Sequence, residues 1–126
     1  MATLDSKLFQ DIDGVRDCLQ QGANVNAKDD DSNGCTALIW ASQWGNLDVV
    51  RELLDHDGID VNFKSDSGNT ALISASEGGH LDVVCALLNH DGIDVNIQNE
   101  DGETALMWAS FCGHLDEVRA DRKSVV

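Results

Sequence analysis

Residues 34–62 read GCTALIWASQWGNLDVVRELLDHDGIDVN, and residues 68–96 read GNTALISASEGGHLDVVCALLNHDGIDVN. Over the full 34-residue period the two copies are identical at 21 positions, mainly at glycines and apolar residues. A third copy begins at Gly102 and departs from the pattern after about half its length. A period of this length predicts stacked units, because one short unit cannot bury its own apolar face. Such stacks usually present a surface rather than a catalytic pocket.

Each copy first predicts a short helix. Thr36, Thr70 and Thr104 each precede an apolar run, and a threonine hydroxyl suits a helix start because it can accept from free backbone N–H groups. The run that follows Thr36 is expected to end near Gly45, where a glycine interrupts it.

A second helix and an extended turn follow in each copy. Apolar residues recur at helical spacing between Leu47 and Leu54. We expect Gly58 and Gly92 to close the second helices in the left-handed conformation, which is common just past a helix end. The polar residues that come next, together with a glycine, predict a turn.

The pattern resembles the ankyrin repeat, whose motif is roughly D-x-x-G-x-T-P-L-H-x-A-x-x-G-H-x-x-V-V-x-x-L-L-x-x-G-A-D-V-N. The similarity covers about Leu8 to Arg119. It implies an all-α solenoid of helix-turn-helix pairs with extended β-hairpin-like turns. The motif's proline and histidine are replaced at Ala37, Ala71, Ala105, Ile39, Ile73 and Met107. We expect packing to compensate for the absent threonine-to-histidine bonds, since one hydrogen bond contributes only about 1 kcal/mol net.

The resemblance divides the chain into about four units within a single ankyrin-repeat domain, 1–126. They are a degenerate N-terminal repeat at 1–33, repeats at 34–67 and 68–101, and an incomplete C-terminal repeat at 102–126. In the first unit, Val15, Cys18 and Leu19 match the second helix of the motif. Its first helix is expected around Leu4 and Leu8, with the polar outer face that an N-terminal cap needs.

The last unit ends differently from the others. Asp121 and Arg122 stand where the full copies have a pair of leucines. We therefore expect the last helix to fray after about Val118, and we interpret the chain as a truncated product or an alternative end of a longer array, with a natural C-terminal cap as the alternative. We expect a monomer, with weak self-association through the poorly capped C-terminal end as the alternative.

Composition limits the classes of partner. The formal net charge is −15, which argues against nucleic acid, because nucleic-acid binding needs a basic surface. The charge favours a basic partner or, alternatively, serves only solubility. No apolar run is long enough to cross a membrane, and the N-terminus lacks a signal pattern. Four scattered cysteines are typical of thiols in a reducing compartment. We therefore expect a cytoplasmic or nuclear protein without membrane insertion.

The sequence offers no catalytic set, and we expect no enzyme activity, metal or cofactor. His80 and His114 fall where the motif itself has histidine, so we assign them a structural role. The D-x-D-G at Asp55 to Gly58 resembles a calcium loop, but Ile59 and Asp60 occupy the positions that need a ligand and a glycine.

Positions that differ between copies predict the binding surface. In ankyrin-type stacks the first helices and the turn tips line the concave surface that usually holds partners, and we call this set of positions the concave surface. Tryptophan is enriched among residues that dominate interface energy, although Trp40 and Trp108 can alternatively pack against neighbouring first helices. The predicted partner-binding residues are Asn33, Cys35, Trp40, Gln43, Trp44, Asp66, Asn69, Glu77, Glu100, Asp101, Glu103, Trp108 and Phe111.

Two further hypotheses concern modification and context. The L-x5-D-V-N pattern that ends at Asn62, and again at Asn96, matches what ankyrin repeats offer to asparaginyl hydroxylases. The alternative is that each asparagine only hydrogen-bonds its turn. The leading hypothesis for function is a non-catalytic protein-interaction module that binds a basic protein or peptide. The alternative is a regulatory part of a larger enzyme or channel whose activity lies outside this chain.

Overall fold

The computed structural model describes residues 12–28 and 33–105, and all of its regular elements in these ranges are helices. They are α1 (Ile12–Gln20), α2 (Ala37–Trp44), α3 (Leu47–Leu54), α4 (Ala71–Glu77) and α5 (Leu81–Leu88). The prediction of an all-α repeat fold is confirmed. The proposed first helix at Leu4 and Leu8, and the proposed fraying after Val118, lie outside the described residues.

The first helices begin as the sequence predicts. The hydroxyl of Thr36 accepts a hydrogen bond from the Ile39 N–H at 3.3 Å, and that of Thr70 accepts one from the Ile73 N–H at 3.2 Å. Each hydroxyl satisfies one of the backbone donors that a helix N-terminus leaves without an intrahelical partner. Helix α2 ends at Gly45, which has a φ of 73°.

The ends of the second helices differ from the prediction. Asp55 and Asn89 cap α3 and α5 in the right-handed conformation, and their N–H groups bond back to the preceding turn. Gly58 has a φ of 97° but lies in the following turn, and Gly92 is not among the residues with positive φ. The expectation that these glycines close the helices was wrong, because ordinary backbone bonds close each helix before the glycine is reached.

The core is shared between consecutive repeats. Helix α2 packs against α3 of its own repeat and against α4 of the next, while α3 packs against α1 and α5. Ile39 and Ile73, which replace the motif's histidine, are only 2% and 1% exposed. Burying a side chain of this size contributes about 1.5–3 kcal/mol. Apolar burial therefore offsets the hydrogen bonds that the histidine would have made.

The second helices bury one face and leave the other in water. Leu53 of α3 and Leu87 of α5 are completely buried, while Asp48 and Asp82 lie in the first turns, where negative charge suits the helix dipole. The first unit is joined to the second by a surface ion pair, in which the Arg16 Nε donates to Glu52 Oε1 at 2.8 Å. This hydrogen bond raises the pKa of the Arg16 guanidinium above its ordinary value.

Asparagine side chains join the loops of successive repeats. The Asn62 amide donates to the Gly92 carbonyl at 2.8 Å, and its oxygen accepts from the Asp94 N–H at 2.8 Å. The Asn26 amide makes the equivalent pair of bonds with Gly58 and Asp60, both at 2.7 Å. Each asparagine thus bonds the backbone of the next repeat twice, whereas the sequence predicted for Asn62 only a bond to its own turn, as the alternative to hydroxylation.

Replacing Asn62 with alanine removes both bonds between repeats. We expect the free energy of unfolding to fall by about 1–2 kcal/mol, since each bond contributes about 1 kcal/mol and water can reach the exposed backbone groups. Urea denaturation followed by circular dichroism measures the change. Gln43→Ala is the matched control, because it truncates an exposed amide side chain and should change stability by less than about 0.5 kcal/mol. Equal stability of the two variants would contradict the assignment.

Candidate partner-binding surface

The turn tips form a continuous row. The Asp66 N–H donates to the Asn33 carbonyl at 2.8 Å, and the Glu100 N–H donates to the Ser67 carbonyl at 3.1 Å. These bonds repeat at intervals of one unit, so each turn is held against the previous one. The Asn33 amide also donates to the Ser67 hydroxyl at 2.9 Å. The tips are therefore positioned as a set.

Within this row, a half-buried asparagine, Asn99, which was not among the predicted site residues, organises the last described turn. The Asn99 amide donates to Asn69 Oδ1 at 2.9 Å and to Glu103 Oε1 at 3.0 Å. Its oxygen accepts from the backbone N–H groups of Asp101 and Glu103. The side chains of Asn69 and Glu103, predicted to bind a partner, therefore also hold the turn. The sequence shows that this position differs between the copies, because the equivalent residue of the preceding copy is Ser65.

Cys35 does not belong to the binding surface. Its side chain is only 6% exposed and lies in the hydrophobic core. The sequence comparison selected it because it differs from Asn69 in the next copy, but a position can vary between copies and still be buried. Its prediction as a contact residue is corrected for this reason.

Other predicted tip residues are accessible. Asn33, Asp66, Glu100 and Asp101 are exposed, and three of them are acidic. The Asp66 carboxylate lies 3.9 Å from the Lys28 ammonium, a separation at which a surface ion pair contributes little. The tips therefore present negative charge to solvent.

The two tryptophans of α2 form a stacked pair. The ring centroids of Trp40 and Trp44 are 6.3 Å apart and their planes differ by 14°. Trp40 is half-buried and packs against the core, whereas Trp44 is 57% exposed. Packing inside the domain, the alternative that the sequence left open for Trp40, is therefore observed, and a contact of Trp40 with a partner stays a prediction. Trp44 is the large apolar side chain that the described residues expose most clearly.

In the next repeat, α4 and the glycine that follows it have small or acidic residues at the positions that Trp40, Gln43 and Trp44 occupy in α2. Ser74 and Gly78 of the next repeat stand where α2 has its two tryptophans. Glu77 is exposed at the end of α4, at the position that Gln43 occupies in α2. A partner that contacts Trp44 therefore meets no bulky side chain at the equivalent position of the next repeat.

His80 joins the ends of the two first helices. Its Nε2–H group donates to the Gln43 carbonyl at 3.0 Å, and because a carbonyl only accepts, this bond places the proton on Nε2. A Cβ atom built on Gly45 would lie 2.5 Å from His80 Nδ1, and one built on Gly78 would lie 2.8 Å from Cδ2 and Nε2. Two edges of one imidazole ring therefore fill the spaces beside both glycines. This confirms a structural role for His80.

Four predicted residues remain, namely two aromatic residues and two asparagines. Trp108 and Phe111 lie outside the described residues. Asn62 is occupied by its bonds to the next repeat, while Asn96 is exposed and its backbone N–H donates to Asp94 Oδ1 at 2.9 Å. Hydroxylation of either asparagine stays a prediction.

The described residues offer little for other kinds of chemistry. Residues 12–28 and 33–105 contain no group of three or more His, Cys, Asp or Glu side chains arranged to hold a metal ion. Over the same ranges, the helices are too short or too polar to span a bilayer. Cys18, Cys35 and Cys85 are thiols in this part of the chain.

The stacked helix pairs and the row of turn tips define a helical repeat domain. A family model described as Ankyrin repeats (3 copies) matches residues 6–99 and 61–120. The chain belongs to the ankyrin repeat family. Ankyrin repeats are generally protein–protein interaction modules and are generally non-catalytic. A comparison with curated proteins finds no match.

The contact of His80 with Gly45 predicts a specific loss of stability. Gly45 and Gly79 both have a φ of 73°, but a Cβ on Gly79 would meet nothing within 4 Å. Both alanine substitutions carry the left-handed strain of about 1–2 kcal/mol. Only Gly45→Ala must also displace the imidazole ring and its hydrogen bond, at about 1 kcal/mol more. Urea denaturation should therefore give Gly45→Ala a lower free energy of unfolding than Gly79→Ala.

The double variant Gly45→Ala/His80→Ala separates the two contributions. With the ring absent, adding alanine at Gly45 should cost no more than the same change at Gly79. If the two glycine variants are equally stable in the presence of His80, the bridging role of the ring is refuted.

Proposed function

We propose that this ankyrin-repeat chain binds a basic protein or peptide segment on its concave surface. The observation that carries the proposal is the exposed Trp44, stacked on Trp40, in a domain whose turn tips expose acidic side chains. Tryptophan is enriched among residues that dominate interface energy. The charged tips supply long-range attraction, which speeds association with a partner of opposite sign.

The packing of the first helices supports this choice of surface. Their apolar residues are nearly all buried against neighbouring helices, so burial of the core does not require an exposed tryptophan. The ring and acidic side chains project from backbone that the core and the turn-to-turn bonds hold in place. A surface arranged in this way loses little conformational freedom when a partner binds.

The proposed function predicts where a bound partner lies. A photo-crosslinking amino acid at Gln43, which is exposed on α2, should form adducts with the partner captured from source lysate. The same group at Gln20, an exposed glutamine of α1, is the matched control and should form few adducts. Mass spectrometry of the crosslinked species measures the ratio. Adducts found mainly from Gln20 would place the partner on another surface and contradict the proposal.

A further inference from the structure

The outer indole face of Trp44 is available to a ligand. One face of the ring is directed to Trp40, with planes 14° from parallel, and the side chain is 57% exposed. Trp40 packs against the core and therefore holds the stacked Trp44 ring in place on its inner side. An indole face carries negative electrostatic potential and attracts a cation that lies over it.

The end of the neighbouring first helix, α4, carries an exposed acidic residue, Glu77. The His80 ring contacts the Cβ positions of Gly45 and Gly78, the residues that directly follow Trp44 and Glu77. The ends of α2 and α4 therefore meet at one imidazole, which brings the exposed Trp44 and the exposed Glu77 to adjoining places on the surface.

The helices that carry this pair contain no cation of their own. The sequences of α2 and α4, ALIWASQW and ALISASE, have no lysine or arginine. The chain as a whole carries a formal net charge of −15. Charge complementarity therefore favours an occupant that brings a positive group to the indole and the carboxylate together.

We propose that Trp44 and Glu77 form a subsite for an arginine side chain of the partner, with the guanidinium stacked on the indole and paired with the carboxylate. The inference rests on the proposed function and specifies the group that this part of the surface recognises. Arginine is favoured over lysine because its planar guanidinium stacks on an aromatic face while its N–H groups donate in a fork to a carboxylate. The compact, strongly hydrated ammonium of lysine makes only a point contact.

Fluorescence anisotropy with labelled peptides tests the subsite. The probes are GRSRSRG, its lysine analogue GKSKSKG and a third peptide with neutral citrulline in place of arginine. We expect the arginine peptide to bind at least about threefold more tightly than the lysine peptide, and the citrulline peptide to bind weakest. Trp44→Ala and Glu77→Gln should each weaken binding of the arginine peptide by about fivefold or more.

Matched variants control for charge and for truncation. Asp91→Asn removes the same charge as Glu77→Gln from an exposed loop position, and Gln20→Ala truncates an exposed side chain of α1, away from the proposed subsite. Both should change affinity for the arginine peptide by less than about twofold. Circular dichroism confirms the fold of each variant, and Glu77→Gln tests the subsite independently if Trp44→Ala unfolds.

The outcomes separate the subsite from the proposed function. If arginine and lysine peptides bind equally and neither Trp44→Ala nor Glu77→Gln has an effect, the subsite is refuted while binding of basic segments stands. If Glu77→Gln and Asp91→Asn weaken binding equally, the attraction is general and the subsite is again refuted. If no cationic peptide binds better than the citrulline peptide, both the subsite and the basic-partner proposal are wrong.

Discussion

The structure depends on burial of the apolar face that consecutive repeats share. The alanine, leucine and isoleucine side chains that form this face of α2 and α4 are almost fully buried. Neither helix could bury them alone. Burial of each large aliphatic side chain contributes about 1.5–3 kcal/mol. The apolar contacts between repeats therefore contribute more to the free energy of unfolding than a single hydrogen bond, which contributes about 1 kcal/mol. The Asn26 and Asn62 bonds then fix the register of one repeat on the next.

This arrangement separates the residues that stabilise the stack from those that face solvent. The shared face uses the buried sides of α2 and α4, which leaves positions such as Trp44 and Glu77 without a packing role in the core. Such positions can differ from repeat to repeat while the scaffold stays the same. Cys35 marks the limit of this separation, since it differs from Asn69 of the next copy and yet is buried. Variation between copies shows which positions the repeat pattern does not fix. Only the exposure of each side chain in the structure shows which of these variable residues reach solvent.

The repeat itself predicted the helices, their threonine caps and the end of α2 at Gly45, because these depend on local backbone chemistry. The closure of α3 and α5 was predicted wrongly, because helices can end on right-handed residues such as Asp55 without a glycine. Contacts between repeats were harder to foresee. The bonds of Asn62 to Gly92 and of His80 to Gln43 join residues far apart in sequence, and spacing alone does not reveal which atoms meet. The sequence shows that Asn99 differs from Ser65, but its contacts with Asn69 and Glu103 became apparent only from the turn geometry.

The most direct test of this account is whether α2 loses protection when the repeat beside it is damaged. Leu72 is buried in α4, and Leu72→Ala should leave a cavity that costs about 2–5 kcal/mol. Native-state hydrogen exchange then compares helical amides of the two helices, such as Trp40 in α2 and Ser74 in α4, whose N–H groups bond to Thr36 and Thr70. The account predicts that protection falls at both sites together, because the two helices share one buried face. Loss of protection in α4 with unchanged protection in α2 would contradict it.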